Sequence, residues 1–402
     1  GVITSCGKIT QSGIYTLGAN LTGISGTCFI IEADGVVIDG AGTYSVIAGS
    51  ANTSYAIIAT STGSGASGRD SIEIVNITIS GFGGLINASG NNATSGNTNG
   101  GNGGSITVSN SNIDHGAIVA NGGLGSGTGI MGSGGGVSLS DTAPGNISVS
   151  GIGGGIDLIA NDFDLSNKTF TTSGTFSIEY TGTLTTTNTT VSAVSNFIVN
   201  GTNYGSYVGG AFPIIPGTIT SCGTLYFSGT YTLGSNMTGN CTVAKTGVII
   251  DGNGNTLTGN ISASTFGVTL SNIDVTGAVS TTGAGAGALT VNNASNLTGT
   301  VSVTGQIAGD GSSSLGNTTI AAGGSVATSS VSFVGDVVNG GTIWSGISVV
   351  GKTTNSGTIY TNGGTFSFNA SSTNSGTVNG NALFAASSTN SGTVTGDATF
   401  NA

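Results

Sequence analysis

In SIEIVNITIS (residues 71–80) apolar residues recur at every second position, and the alternation returns in SITVSNSNI (105–113), GVSLS (136–140), TFSIEY (175–180) and GALTVNNASNLTGTVSVTG (287–305). A period of two marks a strand with one face buried and the other open to solvent. The strands are short, and Gly, Asn or Ser interrupts them. No window keeps the period of about 3.6 that an amphipathic helix requires. The pattern predicts an all-β chain with almost no α-helix.

Two blocks of the chain are near copies. ITSCGKITQSGIYTLGANLTGISGTCFIIEADGVVIDGAG begins at Ile3, and ITSCGTLYFSGTYTLGSNMTGNCTVAKTGVIIDGNG begins at Ile219. Between them GGAFPIIPGT holds two of the three prolines, which marks a linker, since proline interrupts a strand ladder. The expected organisation is two tandem modules, 1–210 and 218–402, joined by a proline-containing linker at 211–217. Towards the C-terminus SSTNSGTV occurs at 371–378 and again at 387–394. Related text upstream places matching asparagines at 339, 355, 374 and 390, in steps of 16, 19 and 16 residues. Short strands at a near-constant period predict a β-solenoid with one turn per repeat. In such a stack each residue lies over its counterpart about 4.8 Å away. Asn, Ser and Thr then form hydrogen-bonded ladders, and Val and Ile stack in the interior.

Composition fits that architecture. Charged residues make up 5% of the chain, against about 25% in ordinary globular proteins; like charges stacked turn on turn would repel. The 76 glycines suit corners, where φ is often positive. The runs at 96–104 and 122–136 lack the Lys-Ser/Thr of a phosphate loop and read as loops or tight corners. Many β-branched residues with little charge argue against disorder. The net charge is −11 and the five basic residues are scattered, which argues against nucleic acid as a partner. With no run of about 18 apolar residues, membrane insertion is not expected. The chain opens on GVITSCGKIT, without a signal-peptide pattern, and any targeting segment is expected to have been removed.

Cys6 and Cys28 lie 22 residues apart, and Cys222 and Cys241 lie 19 apart, at matching places in the two blocks. Metal sites bring their ligands closer together, and His115 is the only histidine. Two local disulfides are expected, and with them an oxidising, extracellular or cell-surface location. Four buried free thiols are the alternative.

GVVIDGAG (35–42) and GVIIDGNGNTLTG (247–259), followed by strand–turn units such as LSNIDVTG (270–277), resemble right-handed parallel β-helix proteins. That superfold includes pectate lyases, polygalacturonases and periplasmic NosD-like proteins. The SGTVTGDATF text is similar to repeat arrays of secreted bacterial surface proteins. The resemblance implies two tandem parallel β-helix modules, a fold that hosts many activities. Its enzymes act on acidic polysaccharides. The polygalacturonase-like ones use clustered aspartates, a His-Gly and an Arg-x-Lys; the pectate lyases use acidic calcium ligands and a basic residue. Here Asp114-His115-Gly116 is the only His-Gly, Arg-x-Lys is absent, and the sole arginine, Arg69, stands beside Asp70 and near Glu73.

Asp39 and Asp251 occupy IDG turns of different modules, while Asp251 and Asp274 lie 23 residues apart, about one turn, which would stack them on one face. An aspartate bonded to its own turn before a glycine corner is the favoured reading of IDG. No nucleophile–base–acid arrangement emerges, so no catalytic residue is assigned. Asp157, Asp162 and Asp164 in GIDLIANDFDLSN form the densest acidic group. As hard oxygen donors they would take calcium, the one cofactor the sequence suggests; a solvated strand face explains them as well. The chain has 16 Asn-x-Ser/Thr sequons, Asn20, Asn76, Asn236 and Asn369 among them. About a dozen arise by chance at this composition, so their number alone does not indicate modification.

An open solenoid presents unpaired backbone groups at its ends. The chain begins on a short apolar strand and stops within its repeat, which places expected contacts between copies at Gly1, Val2 and Ile3 and at Phe400 and Ala402. The expected function is structural: an extracellular β-solenoid subunit that assembles head-to-tail with itself into surface filaments or layers. One alternative is a monomeric adhesin or stalk that binds cell-surface polysaccharide, with Tyr204, Tyr207 and Trp344 as aromatic platforms. A polysaccharide lyase or hydrolase is a further alternative.

Overall fold

The computed structural model describes residues 1–401 apart from 50–51, 114–116, 144, 264, 283–288, 311, 327–331 and 345–346. Asp114, His115, Gly116 and Ala402 therefore lie outside the described residues. Those described form strands and turns and no helix, so none is long and apolar enough to cross a membrane. The chain divides into two compact units, Gly1–Phe212 and Pro213–Ala402.

In each unit the chain winds as a β-solenoid whose successive turns add one strand to each of two long parallel sheets. In unit 1 the first sheet runs from Val2–Ile3 through Gly13–Leu17, Val36–Asp39, Ile72–Val75 and Ile106–Ser109 to Asn196–Val199; the second runs from Gly7–Ile9 to Thr190–Val191. A shorter third face begins with Leu21–Ile24, Ser45–Ala48 and Thr78–Ser80. Unit 2 carries three long faces, which begin at Gly217–Ile219, Thr224–Leu225 and Met237–Thr238.

The alternation seen in the sequence sets the interior. Ile72, Ile106, Val137, Ile156, Phe176 and Phe197 form one inward column in continuous register, and Ile74, Val108, Leu139, Leu158, Ile178 and Val199 form the next. All twelve are buried. Burying each such side chain contributes about 1.5–3 kcal/mol relative to exposure, and a slip by one residue would turn a whole column outward.

Unit 1 ends differently from its body. Thr202–Asn203 and Gly210–Ala211 fold back and pair antiparallel with Asn196–Val199 and Thr190–Val191. Phe212 packs edge-on against Phe176 and Phe197, and Tyr207 is 2% exposed. Of the proline-containing segment 211–217, Ala211 and Phe212 thus complete unit 1, and Gly217 starts the first strand of unit 2.

The duplicated block gives the same corner twice. The Asp39 carboxylate accepts the Ala41 N–H at 2.8 Å, and that of Asp251 accepts the Asn253 N–H at 3.0 Å. The glycine of each IDG is dictated by close approach: a Cβ at Gly40 would stand 2.7 Å from the Ile77 Cα, and one at Gly252 would stand 2.6 Å from that of Ile273.

The glycine-rich runs are exposed at 96–99 and 127–128 but enter the interior at their buried glycines. They pack backbone against backbone. The Gly101 N–H donates to the Asn91 carbonyl (3.0 Å), that of Gly123 to Gly101 (2.7 Å) and that of Gly132 to Gly123 (2.8 Å), while Gly90 and Gly122 donate to Asn121 and Ser150 in the following turn. Gly100, Gly101, Gly104, Gly122, Gly123 and Gly132 are buried. A Cβ at Gly123 would come within 2.0 Å of the Asn91 carbonyl oxygen. Glycine is needed here for space, because these segments bury peptide groups where other turns bury side chains, and each buried group needs a partner.

Gly123→Ala is therefore expected to destabilise unit 1 by about 1–3 kcal/mol, the usual cost of overpacking. Gly136→Ala, where a Cβ meets nothing within 4 Å, is expected to leave the denaturant midpoint unchanged or slightly raised. Equal midpoints for the two variants would overturn the assignment.

Candidate functional site

The acidic residues are the natural place to look for chemistry, and the fold separates them. Asp251 closes a strand of the first sheet of unit 2 and pairs with Ser271. Asp274 opens a strand of the third face and pairs with Thr256 and Asn296. The local turn is 20 residues, from Asp251 to Ser271, so a spacing of 23 carries the chain round a corner and the two carboxylates do not stack. Asp39 and Asp251 are each bonded within their own turn.

Asp157 faces outward on the first sheet of unit 1 between Ser138 and Ser177. Asp162 and Asp164 lie beyond the next corner, exposed on either side of buried Phe163. Asp162 accepts the Thr183 N–H (2.6 Å), the Thr183 hydroxyl (2.7 Å) and the Asn161 amide (2.5 Å), which hold its carboxyl below the usual aspartate range. The Ser166 hydroxyl and N–H do the same for Asp164. Ser312 and the Asn293 N–H lower Asp310 in unit 2. Among the described residues no group of three or more His, Cys, Asp or Glu is placed to hold a metal ion. The one ion pair among them is Lys8–Glu32, at 2.6 Å on the surface; Arg69 pairs with neither Asp70 nor Glu73.

What the structure does gather is side chains of one kind. Asn339, Asn355 and Asn374 are buried to within 1%, and each amide nitrogen donates to the amide oxygen of the next turn: Asn339 to Asn355 at 2.8 Å, Asn355 to Asn374 at 2.7 Å and Asn374 to Asn390 at 2.7 Å. These are the asparagines that the steps of 16, 19 and 16 residues align. Phe368, Phe384 and Phe400 stack 4.6 and 4.8 Å apart.

Of the aromatic platform candidates, Tyr207 is buried in the end of unit 1, where its hydroxyl donates to the Ala211 carbonyl. Tyr204 is half-buried beside it in sequence. Trp344 is 39% exposed and stacks on Tyr360, with ring centroids 4.4 Å apart, next to a cleft of about 190 Å³ that Ile347, Thr361, Thr365 and Phe366 also line. Sequence reasoning missed Tyr360 as the partner, although the 16-residue step from Trp344 would have found it.

At the candidate assembly residues, Val2–Ile3 pairs on one edge with Thr16–Leu17, and Val2 is 75% exposed. The Gly1 amine donates to the Ile14 carbonyl. Phe400 is 58% exposed. Cys6–Cys28 and Cys222–Cys241 stand at disulfide distance, with Cα separations of 4.6 and 5.0 Å. Comparisons with protein-family models, curated proteins and solved structures found no match.

Two outcomes are expected. Asn355→Ala leaves the Asn374 amide oxygen without its donor and the Asn339 amide nitrogen with only the Thr358 carbonyl at 3.5 Å; an unpaired buried group costs about 1–3 kcal/mol. Asn390→Ala, at the half-buried end of the row, costs less; denaturant midpoints compare them. Because hydrogen bonds lower the folded-state values of Asp162 and Asp164, the stability they contribute is full above the unfolded-state value of about 3.9. It is lost as pH falls through the lower folded values. Asp162→Asn should flatten part of the acid limb of the stability–pH curve, and an unchanged limb would contradict this.

Proposed function

We propose that this chain is a structural extracellular protein, a right-handed parallel β-helix of the pectate-lyase-like superfold, and that it adds to copies of itself along the solenoid axis to build surface filaments or layers. One observation carries the reading. Unit 1 closes with antiparallel segments, whereas the described turns of unit 2 stay parallel to the last, with Thr393–Val394 and Ala398–Phe400 laid on the strand before them. A turn laid parallel and in register on the one before it is a template for a further turn of the same kind. A second copy is the occupant proposed.

The chemistry around this edge supports the reading. Uncharged ladders can continue across a junction without like-charge repulsion, and the acidic balance keeps free subunits apart. The disulfides suit an oxidising exterior. Of the carboxylates weighed for a polysaccharide lyase or hydrolase, Asp39, Asp251 and Asp274 are held in separate turns, and Asp114 lies outside the described residues. The adhesin or stalk reading has one observation in its favour, the cleft beside Trp344 and Tyr360.

Electron microscopy of the natively produced protein across a dilution series tests the proposal. Regular filaments or sheets are expected, and Phe400→Asp should abolish them while the chain stays folded. Isolated particles at every concentration would remove self-assembly and favour the adhesin. A parallel series with chelator tests calcium dependence.

A further inference from the structure

At its corners the solenoid uses asparagine in a specific way. The side-chain oxygen accepts the backbone N–H of the next turn, from Asn20 to Ser45 (3.0 Å), Asn146 to Thr169 (2.9 Å), Asn236 to Thr256 (2.9 Å), Asn240 to Asn260 (2.9 Å), Asn260 to Ala278 (2.8 Å) and Asn317 to Asp336 (3.0 Å). All six are exposed, and among the described residues none of their amide nitrogens donates a hydrogen bond. In each case the residue after the asparagine starts or enters a strand and points inward, and the one after that is an outward Ser or Thr. Examples are Asn236-Met237-Thr238 and Asn260-Ile261-Ser262. The corner rule of the fold therefore writes the Asn-x-Ser/Thr acceptor sequence by itself.

We infer that these corner asparagines are attachment sites for N-linked saccharide. The donor is a saccharide activated as a glycosyl phosphate. A bond forms between Nδ2 and the anomeric carbon while the bond from that carbon to the phosphate oxygen breaks. The phosphate leaves with the bonding pair, and the Nδ2 proton passes to a base of the transferase. The product keeps its amide oxygen and one N–H, so the ladder bond survives and the saccharide projects into solvent. Two other sequons cannot carry it in the folded chain. The Asn52 amide nitrogen donates to the carbonyls of Ile24 and Gly26, and that of Asn369 donates to those of Val349, Val350 and Gly351. A saccharide there would displace those backbone contacts. Asn240 and Asn260 occupy successive turns, about 4.8 Å apart, so occupancy of one excludes the other.

The inference rests on the extracytoplasmic placement proposed above and is independent of self-assembly. Intact mass and glycopeptide mapping of the natively produced protein test it. The expected result is excess mass located on corner asparagines, none on Asn52 or Asn369, and no molecule modified at both Asn240 and Asn260. Thr238→Val should remove the saccharide from Asn236 without shifting the unfolding midpoint, because the Asn236–Thr256 bond is untouched. An intact mass equal to that of the bare chain would overturn the inference. So would saccharide confined to Ser or Thr, or saccharide at Asn369.

Discussion

Every property described here follows from parallel stacking in register, which makes the nearest neighbour of a residue its counterpart one turn away. A side chain that repels its own kind is excluded, and one that binds its own kind is repeated. That constraint accounts for the near absence of charge, the inward columns of Ile, Val, Leu and Phe, and the asparagine row from Asn339 to Asn390. It also sets the fate of the carboxylates. Asp162 binds Thr183 of the next turn, and Asp39 its own corner; a group held this way is a structural acceptor.

The parts of the molecule governed by period were legible from the chain alone. Alternation located the strands, the asparagine steps gave the stacking order, and the duplicated block paired the cysteines, now seen with Cα atoms 4.6 and 5.0 Å apart. What escaped depended on corner length or on backbone alone. Asp251 and Asp274 looked one turn apart, but three extra residues move Asp274 to a different face. The run around Gly123 read as loop or tight corner, because glycine has no side chain to reveal which surface it buries. Tyr207 looked like a platform, because nothing in its neighbourhood signals that residues 202–212 fold back.

The glycine-packed segments and the columns of unit 1 are two answers to one problem. Where side chains fill the interior, hydrophobic burial stabilises the turn. Where glycine fills it, peptide groups lie close enough to satisfy one another, and stability rests on the completeness of that hydrogen bonding. The first is tolerant of conservative exchange; the second admits no added methyl group.

The asparagine row has a direction. Every amide nitrogen in it points towards the later turn, from Asn339 to Asn390, while the Asn339 oxygen is closed off by the Gly341 N–H. The amide dipoles are thus aligned head to tail and polarise one another. The acceptor side of the row is closed at Asn339 and its donors all face the later turns, so a row of uncharged side chains gives this part of the solenoid a polarity along its axis.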